Sequence, residues 1–223
     1  MSRTAMRSGP GGKCASGLYG RAIAVAFGWS KMAKSRGFDL TGALRRICAD
    51  MAVRVPELRH IALDRVAIGV RRARHRGPYG VYATLTPMRF AGGRMQETRR
   101  RREFRIQPLV DDAGREYLYL LSFSVPRFLD LPLEGKLATI VHELWHIGPL
   151  FDGDLRRHEG RCYAHGRSQR EYDAAMDRLA QQWLAADPPS HLYDFLSRNY
   201  DELAAEHGGV RGERWPAPRL VLA

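Results

Sequence analysis

The chain has 223 residues, a net charge of +12, 44% apolar and 27% charged residues. That length suffices for one well-cored domain, and no apolar run in the sequence approaches the ~20 residues of a membrane-spanning helix. Three cysteines, Cys14, Cys48 and Cys162, are too few and too scattered for a disulfide framework and fit a reducing cytoplasm.

Residues 1–36 are rich in Gly, Ser, Ala and Arg without steady periodicity, which predicts a poorly ordered basic extension. Its apolar run, residues 22–29, is too short and too poorly flanked for a secretory signal. Organised sequence begins just after Met32, an alternative start. From there the elements of one domain, 37–207, follow in order. Asp39 or Thr41 caps a helix over 41–55, with Leu44, Ile47, Cys48 and Met51 on one face and Pro56 as its stop. β-Branched and aromatic runs predict strands over 60–74, 79–90, 102–110 and 116–124. The Asp111-Asp112-Ala113-Gly114 turn joins the last two as a hairpin.

Pro126 and Pro132 precede a helix over 133–147, ended by Gly148-Pro149. A loop runs to about 167. Ser168-Gln169-Arg170-Glu171 is a capping-box pattern, opening a helix with Tyr172, Met176, Leu179 and Trp183 on one face. After Asp187-Pro188-Pro189 a last helix covers 190–206, and 208–223 reads as an irregular tail. The order of elements is that of an α+β domain with a small, mostly antiparallel sheet.

The helix over 133–147 carries His142-Glu143-Leu144-Trp145-His146. Residues four apart lie one above the other on a helix, so both imidazoles suit one metal ion. Glu143 lies beside that face, able to take a proton from the metal's water and pass it to a leaving amine. Leu137, Ile140, Val141 and Leu144 make the rest of the helix apolar, as burial requires. The third ligand has several candidates. Asp152, six residues after His146, follows Pro149 where a metzincin-type turn needs glycine. His158 follows Arg156-Arg157, whose charges repel a cation. His165 immediately precedes the capped helix and is favoured, with Cys162 a soft donor three residues earlier. Asp152 and Asp154 read better as loop scaffold, bonded to backbone N–H groups or paired with Arg156. The strand 116–124 is either a plain core strand or an edge that holds an extended peptide.

The segment HELWHIGPLFDGDLRRHEGRCYAHGRSQREYD, with RFLDLP, TPMRFAGG and RVPELRHI upstream, resembles the zinc metallopeptidases encoded in phage and bacterial genomes, over roughly 38–185. The resemblance implies a zincin-like fold, zinc held by His142, His146 and His165, and Glu143 as the catalytic base. At motif level alone, HExxH with a downstream His-Gly is also similar to SprT-like proteases, which act on proteins at DNA.

The expected protein is a cytoplasmic zinc peptidase acting on peptide or protein substrates, with no membrane partner. The alternative is a nucleic-acid-binding protein with a structural or vestigial metal, or a protease of DNA-bound proteins. Arg99–Arg102 with Arg71, Arg72, Arg74 and Arg76 would form a phosphate-binding surface across adjacent strands. Against this, all but four of the 36 basic residues are arginine, a bias that genome composition alone produces, and a solvated hairpin face explains the run better. Tyr163 and Tyr172 are core residues or oxyanion stabilisers, and neither is assigned.

Overall fold

The structure, a computed structural model, describes residues 36–77, 80–157 and 169–223. The described residues form an α+β domain of four α-helices and three small sheets. None of these helices is long and apolar enough to cross a membrane.

Strand β1 (Phe38–Asp39) leads into α1 (Leu40–Arg54), whose N-cap is Asp39, its carboxylate accepting the Gly42 N–H at 3.1 Å. The central sheet contains β2 (Val66–Arg72), β3 (Ala83–Pro87) and β6 (Tyr119–Val125) in the order β2-β6-β3. β6 runs parallel to β2 and antiparallel to β3, so this sheet is mixed rather than mostly antiparallel. Val66, Ile68 and Val70 of β2 and Tyr119, Leu121 and Phe123 of β6 point to one face. There they meet α1, α2 (Leu133–Trp145) and α3 (Gln169–Ala185) in one continuous core. The opposite face has a smaller cluster, in which Ala67, Met88, Leu109, Tyr117 and Leu120 gather beneath Trp215.

A separate ribbon is built from β4 (Gln96–Arg99) and β5 (Arg102–Ile106), antiparallel. The chain ends with α4 (Tyr200–His207), β7 (Val210–Arg211) and β8 (Leu220–Leu222). β7 pairs in parallel with β1, and β8 adds to β5.

Four further expectations are corrected. The strands read over 102–110 and 116–124 do not form a hairpin: β5 and β6 belong to different sheets, and only the bridge Val110–Glu116 remains beside the Asp111–Gly114 turn. The long strand read over 60–74 starts at Val66, because 3-10 turns occupy Pro56–Leu58 and Leu63–Arg65. The helix read over 190–206 is broken into short 3-10 turns and α4, because Asn199 and Glu202 form a reciprocal capping box that starts a helix at Tyr200. Finally, the tail after 208 is structured, with β7 and β8 closing two sheets.

Lys136 ties the first turn of α2 to the chain beyond α3. Its side chain is buried, and the ammonium donates to Leu196 O and Arg198 O, both at 2.7 Å. Burial pushes its pKa down, with Asp130 and Glu202 opposing. Replacing it by the similarly sized Met strands two carbonyls and is expected to cost about 2–4 kcal/mol in a urea unfolding curve, with an unchanged slope.

Candidate metal centre

α2 is apolar around most of its circumference. Leu137, Ile140, Val141 and Leu144 are all buried in the core, so helical period alone determines what remains at its open strip. His142 and His146 stand there, one turn apart and half-buried. Their Nε2 atoms lie 3.0 Å apart, with ring centroids at 4.7 Å and planes at 78°. Two imidazoles on a tetrahedral zinc, with bonds of about 2.0–2.1 Å, have nitrogens roughly 3.3 Å apart. The pair therefore fits a shared cation with a small opening of the rings.

Tyr172, on the first turn of α3, packs against both rings, edge-on to His142 at 5.1 Å and stacked on His146 at 6.1 Å. It is buried, which pushes its phenol far above the ordinary range; Glu143 adds to this and Arg156 opposes it. The sequence left Tyr172 unassigned between core and site. It serves the core and also forms a wall of the histidine pair.

Glu143 lies at the junction of α2 with β3 and lines the same cleft as His142. The residue is 8% exposed, and its carboxylate accepts the Leu85 backbone N–H. Burial pushes its pKa up to about 7, against the Leu85 bond and the charge of Arg71. The antiparallel alternation explains why Leu85 is available. Tyr82 O accepts from Ser124 N on β6, so Tyr82, Thr84 and Thr86 bond toward β6. Ala83 and Leu85 consequently turn their backbone groups outward, at the edge of the sheet. A cleft of ≈330 Å³ opens beside this edge, lined by Tyr82, Ala83, His142, Glu143, Asp173 and Met176 among others. The peptide-holding edge that the sequence offered at 116–124 is not there: β6 is the central, buried strand, and β3 is the edge.

The loop after α2 fastens the helix end. Arg156 N–H donates to His146 O at 2.7 Å, and its guanidinium donates to Trp145 O at 2.7 Å while stacking 4.0 Å from the Trp145 ring. A cation over the last carbonyls also suits the helix dipole. Tyr119 OH reaches across from β6, donating to Asp154 O at 2.9 Å and accepting from Gly153 N–H at 3.0 Å. Gly153 has φ +91°, and a Cβ there would sit 2.5 Å from the Arg89 side chain, so both conformation and space require glycine. Asp154 accepts N–H bonds from Gly92 and Leu155, both at 2.8 Å, and from the Arg157 guanidinium at 3.0 and 3.1 Å.

Asp152 and Asp154 are thus loop scaffold, as the sequence suggested, although the arginine paired with Asp154 is Arg157 and not Arg156. Asp152 accepts the Asp154 N–H at 3.1 Å and lies against Gly93. Among the described residues, no three of the types His, Cys, Asp and Glu gather into a metal-holding group. The remaining candidates His158, His165 and Cys162, with Tyr163 and the Ser168 cap, lie outside the described residues. Arg71–Arg76 and Arg99–Arg102 do not lie on adjacent strands, since β2 and the β4–β5 ribbon belong to different sheets.

Comparison with protein-family models, with curated proteins and with solved structures finds no match to this chain.

Asp154 offers a direct check of the loop. Burial pushes its pKa up, but the Arg157 hydrogen bonds and the N–H groups of Gly92 and Leu155 outweigh that and hold it below the ordinary 3.8. A carboxyl depressed in the folded state stabilises the fold above its unfolded pKa, and that stability is lost as pH falls through the folded value. Asp154→Asn is therefore expected to lose about 1–3 kcal/mol at neutral pH by chemical denaturation. The deficit should shrink as both proteins are taken below pH ~4.

Proposed function

We propose that this protein is a zinc-dependent peptidase of zincin-like type. The observation that carries the reading is the pair of Nε2 atoms 3.0 Å apart on one strip of a buried helix, with Glu143 adjoining at the mouth of a cleft. Two imidazole nitrogens turned toward one point, with a buried carboxyl lining the same cleft, are the donor set and the base that this chemistry uses.

His142 and His146 are two of the zinc ligands, and His165 is the third. Two features favour His165 over the alternatives. Asp152 is committed to the loop. Tyr172, on the first turn of α3, already lies against both imidazoles, so a residue just before that helix is close at hand in the chain. When bound, zinc supplies Lewis acidity, lowering the pKa of a water toward ~7 and polarising a carbonyl.

The chain's own groups do the rest. Glu143 takes a proton from the attacking water at its carboxylate and passes it to the departing amine. Leu85 N–H orients that carboxylate. The outward backbone groups of Ala83 and the remaining one of Leu85 offer hydrogen bonds to an extended peptide laid along β3. Substrate would then enter through the ≈330 Å³ cleft. Tyr172 walls the histidine pair from solvent and keeps their rings in register.

Purified protein is expected to carry about one zinc per chain by elemental analysis, with His142→Ala losing it. Glu143→Gln should retain the metal yet lose hydrolysis of an unfolded protein substrate by about 10²–10⁴-fold. Full hydrolysis by Glu143→Gln contradicts the assigned role.

A further inference from the structure

The β4–β5 ribbon is turned by Arg100 and Arg101, both at positive φ, +49° and +64°. Two successive left-handed residues define the tight I′ turn that suits a twisted two-residue hairpin, and its usual occupants are Asn-Gly, Asp-Gly or Gly-Gly. Arginine is a poor choice for that conformation. It is poorer still here, because Arg99 and Arg102 face each other as the last ladder pair, crowding four guanidinium-bearing residues at one tip. All four are exposed, and of the four only Arg99 has an ion pair among the described residues, with Glu97 at 2.8 Å. Strain and self-repulsion at the same exposed place indicate a tip built for a partner of high negative charge.

A second basic feature lies elsewhere in the fold. A cleft of ≈740 Å³ at the end of β2 is lined by Arg71, Arg72, Arg74, Arg76, Arg211 and Arg214. Arg76 is paired with Asp201 and Asp130, and Arg211 with Asp39. Arg72, Arg74 and Arg214 have no ion pair among the described residues. The C-terminal segment connects the two features. Arg211 and Arg214 are in the cleft wall, Glu213 O accepts from Val70 N–H, and Trp215 closes on Gly69. The segment then supplies exposed Arg219 and the strand β8, which completes the ribbon's sheet.

We propose that these two features bind one duplex nucleic acid, the Arg99–Arg102 tip entering a groove and the cleft arginines holding phosphates. A two-stranded β-ribbon fits a major groove about 12 Å wide, and arginine reads both phosphates and guanine edges. A free acidic peptide matches less well, because it has no groove for a protruding ribbon. The proposal is independent of the zinc site: the likeness to SprT-like proteases is confined to the histidine motif and includes none of these arginines.

The test measures binding of a fluorescein-labelled DNA duplex to the full chain across a series of KCl concentrations. Arg100→Asn combined with Arg101→Gly installs a favoured turn pair, so the fold should keep or raise its melting temperature. Duplex affinity should nonetheless fall by more than about tenfold, and the salt slope should become shallower by about 1.8, two phosphate contacts at 0.9 each. Arg72→Gln combined with Arg214→Gln should weaken binding with a similar loss of slope. Wild-type affinity and slope in either folded variant overturns the proposal. So does a single strand bound as tightly as the duplex with the same dependence on Arg100 and Arg101, which removes the groove. Equal competition by poly-glutamate, marking an acidic-peptide site, overturns it as well.

Discussion

The constraint on which the rest depends is the burial of one side of α2 in the core. Its apolar residues leave no choice of rotation: Leu137, Ile140, Val141 and Leu144 must all face the core, and a period of 3.6 then leaves His142 and His146 on the remaining strip. The same rotation drives Glu143 against the edge of the central sheet, where the outward N–H of Leu85 meets its carboxylate. A carboxyl forced into that position prefers its neutral form, and burial pushes it up to about 7. The chemistry proposed for the site is thus a consequence of how one helix is packed.

The elements around α2 keep that packing exact in angle and height. Lys136 anchors the start of the helix to the Leu196 and Arg198 carbonyls. At the other end Arg156 donates to the last carbonyls, His146 O and Trp145 O, while Tyr119 OH and the Asp154 carboxylate hold the loop that carries it. α3 closes the third side through Tyr172. These fastenings are polar and directional, which suits a site whose two nitrogens must converge within a few tenths of an ångström.

Much of this was legible from residue pattern. The helical spacing in HELWH identified the face, and the apolar neighbours identified the burial. The FDGD segment announced itself as scaffold through its Asp and Gly content. What the sequence hid were contacts set by sheet topology. Nothing local distinguishes β6 as central and β3 as edge, because Tyr119–Val125 and Ala83–Pro87 are both short strands of suitable residues. The parallel pairing of β2 with β6 joins residues some fifty positions apart and leaves no turn signature. β7 and β8 are two and three residues long, below the length at which alternation can be read. The I′ turn at Arg100-Arg101 was hidden for the opposite reason: its residues are not those that the turn favours.

The central claim rests on the metal. Anomalous scattering at the zinc edge, from crystals of the full chain, addresses it most directly. The expected result is a single zinc within about 2.0–2.1 Å of His142 Nε2 and His146 Nε2, with His165 as the third protein ligand. Zinc held elsewhere, or a shell that omits either helical histidine, contradicts the reading of this protein as a zincin-like peptidase.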